Sequence, residues 1–167
     1  TASADRAVGL KFEKNQLHHT RIVLTCHADA RVQDNCIGET HGAAILVECG
    51  SNPRLVANNF LRCHTGIRVT GHATSPWIEN NDLEDSIECQ IECQGRCEPS
   101  INSNKILNSL GWGMRFSDHA LGKVYQNLIE GSQRTQVEVF NHANPEFHRN
   151  EIQNGETVGV QVSGRGQ

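Results

Sequence analysis

With 167 residues, 20% of them charged, and a formal net charge of −4, the chain offers no broad electrostatic attraction to nucleic acid or to an anionic membrane. No apolar run approaches the length of a membrane span, and the first residues do not read as a signal peptide. Seven cysteines, an odd number without paired zinc spacing, favour a reducing, intracellular compartment, cytoplasmic or nuclear.

In chain order the sequence divides into units centred on Asn15, Asn35, Asn58, Asn81, Asn104, Asn127 and Asn150. The first step is 20 residues and each later one 23, a period that marks a stack of one repeated unit. The first unit carries Phe12 before its asparagine, Leu17 after it, then Ile22 and Leu24. The second has Val32, Ile37 and the pair Ile45/Val47; the third Leu55, Phe60 and Ile67/Val69. The fourth has Ile78, Leu83 and Ile91/Cys93, and the fifth Ile101, Ile106 and Met114/Phe116. Val124, Ile129 and Val137/Val139 make the sixth; Phe147, Ile152 and Val160/Val162 the seventh.

Polar residues alternate with these apolar ones, as short strands require, and helical stripes fit none of the segments. Each unit therefore predicts three short strands. Stacked in register about 4.8 Å apart, they give three parallel sheets around one core. The asparagine is expected at the tight corner between the first two strands, adopting the left-handed backbone itself. Its amide would also donate and accept along the column. A small residue follows five positions later in every unit, from Thr20 and Thr40 to Ser132 and Gly155. The chain is expected to be one repeat domain over 1–167, a piece of a longer protein cut at repeat boundaries.

The pattern P-x-[ILF]-x-x-N-x-[ILF], followed by a G-[IV]-x-V-like strand, is carried best by Pro53, Leu55, Asn58 and Phe60 with Gly66, Ile67 and Val69. Pro145, Phe147, Asn150 and Ile152 with Val158, Val160 and Val162 form a second good copy. It resembles the repeat of the pectin-lyase-like superfamily and implies a single-stranded right-handed parallel β-helix, all-β, of about seven coils. The uniform coil looks most like the β-helix domain of F-box proteins of ubiquitin ligases. It is also similar to carbohydrate-binding and sugar-hydrolase repeats and to a periplasmic copper-site maturation protein.

Stacking converts sequence offsets into surface columns. In the turn after the third strand stand His27, Gly50, His72, Arg96, His119, His142 and Arg165. We take His72, Arg96, His119, His142 and Arg165 as the candidate binding column, suited to an anionic ligand, a metal or an acidic peptide. The competing reading makes these histidines ordinary turn residues of the repeat. His119 and His142, beside Asp118 and Asn141, are the best local pair. His41 and His64 read as turn residues with no carboxylate beside them. Cys89, Cys93 and Cys97 fall on a strand and its turn, so Cys93 is expected in the core.

The outward face of the third sheet reads Arg68, Glu92, Arg115, Glu138, Gln161. The resemblance implies that this face is the substrate cleft in pectin-active relatives. Here Arg115 separates the carboxylates, so neither a glycosidase pair nor a calcium cluster is expected. A basic edge of Lys11, Arg31, Arg54 and Lys123 with Trp77 could stack a sugar or meet an acidic partner. Trp112 is expected in the core or as a turn plug.

The expected function is a non-catalytic recognition or scaffold module for a protein partner, which the F-box resemblance would make a degradation substrate. The alternative is part of a polysaccharide lyase or hydrolase, or a carbohydrate-binding module. No catalytic residue, metal or cofactor is assigned, and neither nucleic acid nor membrane is an expected partner.

Overall fold

A computed structural model describes residues 2–5 and 8–164. The described residues are all strand and turn, with no helix, and form three parallel sheets of seven, seven and eight strands. The first sheet collects the strands that precede each asparagine, such as Arg54–Val56 and Trp77–Glu79. The second collects those that follow it, such as Asn59–Leu61 and Asp82–Glu84. The third holds the longer strands Thr65–Thr70, Cys89–Gln94 and Trp112–Ser117. Neighbours in every sheet are one coil apart: Arg54 pairs with Trp77, Trp77 with Ser100 and Ser100 with Lys123.

The inward columns predicted from the period form the core. Leu55, Ile78, Ile101 and Val124 fill it from the first sheet, and Phe60, Leu83, Ile106 and Ile129 from the second. Ile67, Ile91, Met114 and Val137 close it from the third, with Cys93 fully buried among them. In the last described coil Val160 and Val162 are about half exposed.

The asparagine column holds the coils in register through a repeated set of bonds. From Asn35 onward, each Oδ1 accepts the backbone N–H and the side-chain amide of the asparagine one coil earlier, as Asn81 does from Asn58 at 2.9 and 3.0 Å. Each amide also donates to the carbonyl before the previous corner, Asn81 to Leu55 and Asn104 to Ile78. The left-handed residue is not the asparagine, contrary to the expectation from its preferences. It is the preceding residue in every coil: Lys14, Asp34, Ala57, Asn80, Ser103, Gln126 and Arg149, with φ of 53–58°. That residue turns the chain, while the asparagine keeps ordinary backbone and spends its side chain on the groups the turn leaves unpaired.

The first coil is short because its second and third strands, Gln16–His18 and Ile22–Thr25, are joined by three residues. The third coil reaches its third strand one residue early, since Thr65 pairs with Cys89. It regains the register in the following turn, through an extra residue around Gly71. At the start of the third sheet, glycine and glutamine alternate through Gly66, Gln90, Gly113 and Gln136. Cβ atoms on Gly66 or Gly113 would come within 2.6 Å of Gln90 O or Gln136 O. Gln90 and Gln136 are buried and their amides donate to Leu107 O and Gln153 O, at 2.8 and 2.7 Å.

Candidate recognition face

The turn that follows each third-sheet strand is tight, and two consecutive residues often adopt positive φ. Asp118 and His119 stand at 55° and 67°, Asn141 and His142 at 48° and 64°. In this conformation the side chains leave the corner together, so equivalent residues of adjacent coils stack. The rings of His119 and His142 lie 5.0 Å apart and 14° from parallel. Beneath each turn the chain re-enters the core through a buried small residue, Ala28, Ser51, Thr74, Cys97, Ala120 or Ala143. That explains why alanine so often follows the histidine.

His72, Arg96, His119 and His142 are all exposed and line one open groove of about 410 Å³ with Ala73, Ser75, Glu98 and Leu121. One member is displaced from its predicted place. Ala73, not His72, stands one coil before Arg96, and its φ of 59° matches that of the column. His72 is the extra residue of the third coil's turn and enters the groove from the side. Arg165 lies outside the described residues. At the other end of the column the His27 ring covers Gly50, where a Cβ would meet its Cε1 and Nδ1 at 2.6 Å. Gly50 is thus glycine both for its φ of 72° and for that contact.

The groove is mixed in charge. Arg96 and Glu98 both line it, Asn141 Nδ2 donates to Asp118 Oδ1 at 3.3 Å in the turns that carry His119 and His142, and Leu121, 41% exposed, gives it one apolar spot. Neutral imidazole offers one donor and one acceptor, so the rungs of Arg96, His119 and His142 each present a hydrogen-bonding side chain. Among the described residues no cluster of three His, Cys, Asp or Glu side chains has the geometry to hold a metal ion.

The outward face of the third sheet is a continuous network. Arg68 Nε reaches Glu92 Oε2 at 2.5 Å and Arg115 Nε reaches Glu138 Oε2 at 2.9 Å. Glu92 is almost fully buried and also accepts from Gln94 Nε2 at 2.6 Å. Both carboxylates of this face are therefore held by guanidinium groups. Trp112 is not a core plug as expected. It is half-buried on the outside, with Arg115 and Arg134 over its ring at 4.4 and 4.6 Å, and Arg115 also stacks on Phe140. Its residue number near an inward offset misled because the strand starts there and the alternation has not yet set in.

His64 also differs from the expectation, since its Nδ1 lies 3.3 Å from Glu88 Oε2. Glu88 belongs to the next coil and additionally meets Thr65 and Arg68. His41 stacks on His19 instead, at 6.1 Å. On the first sheet Trp77 is 42% exposed, with Arg54 over its ring at 5.8 Å and its Nε1 donating to Glu79. Tyr125, Lys123, Gln126, His148 and Arg149 line a second shallow depression on that side.

Residues 20–167 match the family model described as the right handed beta helix region. No curated protein and no solved structure matches the chain.

Proposed function

The chain belongs to the right-handed β-helix family, and we propose that it is a non-catalytic recognition module for a protein partner. The observation that carries this reading is the open groove along His72, Arg96, His119 and His142. A solenoid presents one residue type at each rung, giving a long regular surface suited to an extended segment. Three rungs from Arg96 to His142 span roughly 10 Å, the length of about three extended residues. The donors, the one apolar spot and Arg96 fit a segment with an acidic side chain flanked by apolar ones. If the partner is a ubiquitin-ligase substrate, an F-box elsewhere in the full-length protein is the companion feature. The cysteine content supports an intracellular setting.

The test is binding of fluorescent acidic peptides, with neutral scrambled controls, to wild type and to the triple variant Arg96→Ala, His119→Ala, His142→Ala. At least a tenfold loss, equal to about 1.4 kcal/mol, and weaker binding in higher salt are expected. Equal affinity of wild type and variant would remove this face from the function.

A carbohydrate-binding reading rests on exposed Trp77 beside Arg54 and on the Tyr125 depression. Amphipathic rings of this kind stack on sugar faces. A glycan array in which Trp77→Ala abolishes a signal that the triple variant keeps would favour it over the protein partner.

A further inference from the structure

Two thiols outside the core stand at equivalent positions of adjacent coils. Cys26 and Cys49 are 23 residues apart and have nearly the same backbone, with φ of 55° and 53°. His27, the next residue, donates its N–H to Cys49 O at 3.0 Å, which locks the two turns one rung apart. One rung is about 4.8 Å, inside the roughly 4.4–6.8 Å between Cα atoms that a disulfide spans. Their matching φ values send both Cβ atoms the same way, about one rung apart, so closing a disulfide, with Cβ atoms roughly 3.5–4.5 Å apart, draws the two turns together by a few tenths of an ångström. On its far side the Cys49 backbone N lies 3.8 Å from the Cβ position of Gly71, a residue without a side chain. Cys26 is half-buried, with the Thr25 hydroxyl donating to its sulfur at 3.6 Å, and Cys49 is exposed.

The other cysteines differ. Cys63, Cys89, Cys93 and Cys97 are buried, and Cys36 is one rung from Asn59, not from a thiol. Burial pushes the thiols of Cys63, Cys89 and Cys93 upward, which keeps them protonated and inert, while Cys97, shifted downward by its hydrogen bond with the Cys93 thiol, is shut off from solvent.

We propose that Cys26 and Cys49 form a reversible oxidation site, a dithiol that closes to a disulfide between the first two coils when it meets a low-molecular-weight disulfide. The exposed Cys49 thiolate attacks one sulfur of the external disulfide, breaking its S–S bond, forming a mixed disulfide and releasing one thiolate. Cys26 then attacks the Cys49 sulfur, and the second external thiolate leaves. Two protein thiols are oxidised and one external disulfide is reduced to two thiols, so atoms and electrons balance. The site lies one residue before His27 and Gly50, at the end of the turn column that holds the recognition groove, but its chemistry does not depend on that groove's function.

The whole chain is incubated with excess oxidised glutathione at mildly alkaline pH, alkylated and mapped by mass spectrometry. A Cys26–Cys49 cross-linked peptide is expected, with loss of two of the seven thiols and full recovery under dithiothreitol. Cys26→Ser should instead retain glutathione on Cys49, while Cys36→Ser should cross-link like wild type. Stable glutathionylation of Cys49 in wild type, a cross-link between two chains, or unchanged thiols would each overturn the proposal.

Discussion

Replacing Asn81 by alanine removes the middle of the asparagine column. Asn81 is fully buried. Its Oδ1 accepts Asn58 N–H and Nδ2, and its Nδ2 donates to Leu55 O, Glu79 O and Asn104 Oδ1, all between 2.9 and 3.1 Å. Alanine leaves the buried Asn58 N–H without an acceptor, at a cost of about 1–3 kcal/mol. The remaining bonds contribute about 0.5–1.5 kcal/mol each but are partly replaced, because Glu79 O still accepts from Ala57 N–H. Together these put the loss near 3 kcal/mol, or roughly 6–12 °C in Tm for a chain of this size. Asn15→Ala provides the contrast. Asn15 is half-buried at the end of the column, and its backbone N–H keeps Asn35 Oδ1 as acceptor at 3.0 Å. Its loss should stay below about 1 kcal/mol. Urea unfolding followed by circular dichroism measures both. If Asn81→Ala destabilises by no more than Asn15→Ala, the column is decoration and the register is set by the core alone.

Three further outcomes follow from the packing. Gly111→Ala should destabilise by ~3 kcal/mol or more, since its Cβ would stand 1.9 Å from Glu88 O, a main-chain atom that cannot swing away; thermal melts read this. A double-mutant cycle of Glu92→Ala with Arg68→Ala should give a coupling of about 1–2 kcal/mol, because the carboxylate is buried while the guanidinium is only partly so. The third is a pH effect. Burial holds the Cys89 thiol well above its ordinary 9.0, so above that pH the unfolded chain loses a proton that the native state keeps. Stability then falls as pH rises, by up to ~1.4 kcal/mol per pH unit from this thiol, and Cys89→Ala should flatten the alkaline limb of a stability profile.

The fold was legible because its period is written in residues that face the core and in the asparagine that bonds from coil to coil. Both are fixed by backbone geometry that every rung repeats. The left-handed corner residue was not legible, since Lys14, Ala57 and Gln126 occupy it as readily as Asn80. There the asparagine's bonds enforce the bend, and intrinsic preference for the conformation counts for little. The surroundings of Trp112 and His64 are not legible for a related reason. Their partners, Arg134 and Glu88, come from the neighbouring coil and from turn positions where the two-residue alternation does not hold.

The candidate groove shows where a fixed period stops being a sufficient guide. His72 stands 22 residues after Gly50 and 24 before Arg96, an irregularity that signals its displacement from the column. The third coil reaches its third strand one residue early and regains that residue before the next asparagine, which keeps its step at 23, whereas the first coil regains nothing and has a step of 20. The insertion falls at Gly71, whose φ of 93° departs from the values of about 50–70° at the neighbouring corners, and it pushes His72 out of the stack and into the groove. The two stacked rings of His119 and His142 repeat what the solenoid dictates, whereas His72 stands where only this coil's accident of length could put it. On the proposed recognition reading, His72 is the lining histidine that the repeat itself does not dictate. His72→Ala, which breaks no rung-to-rung stacking, should lower peptide affinity while leaving Tm unchanged; loss of stability without loss of binding would return the residue to a purely structural role.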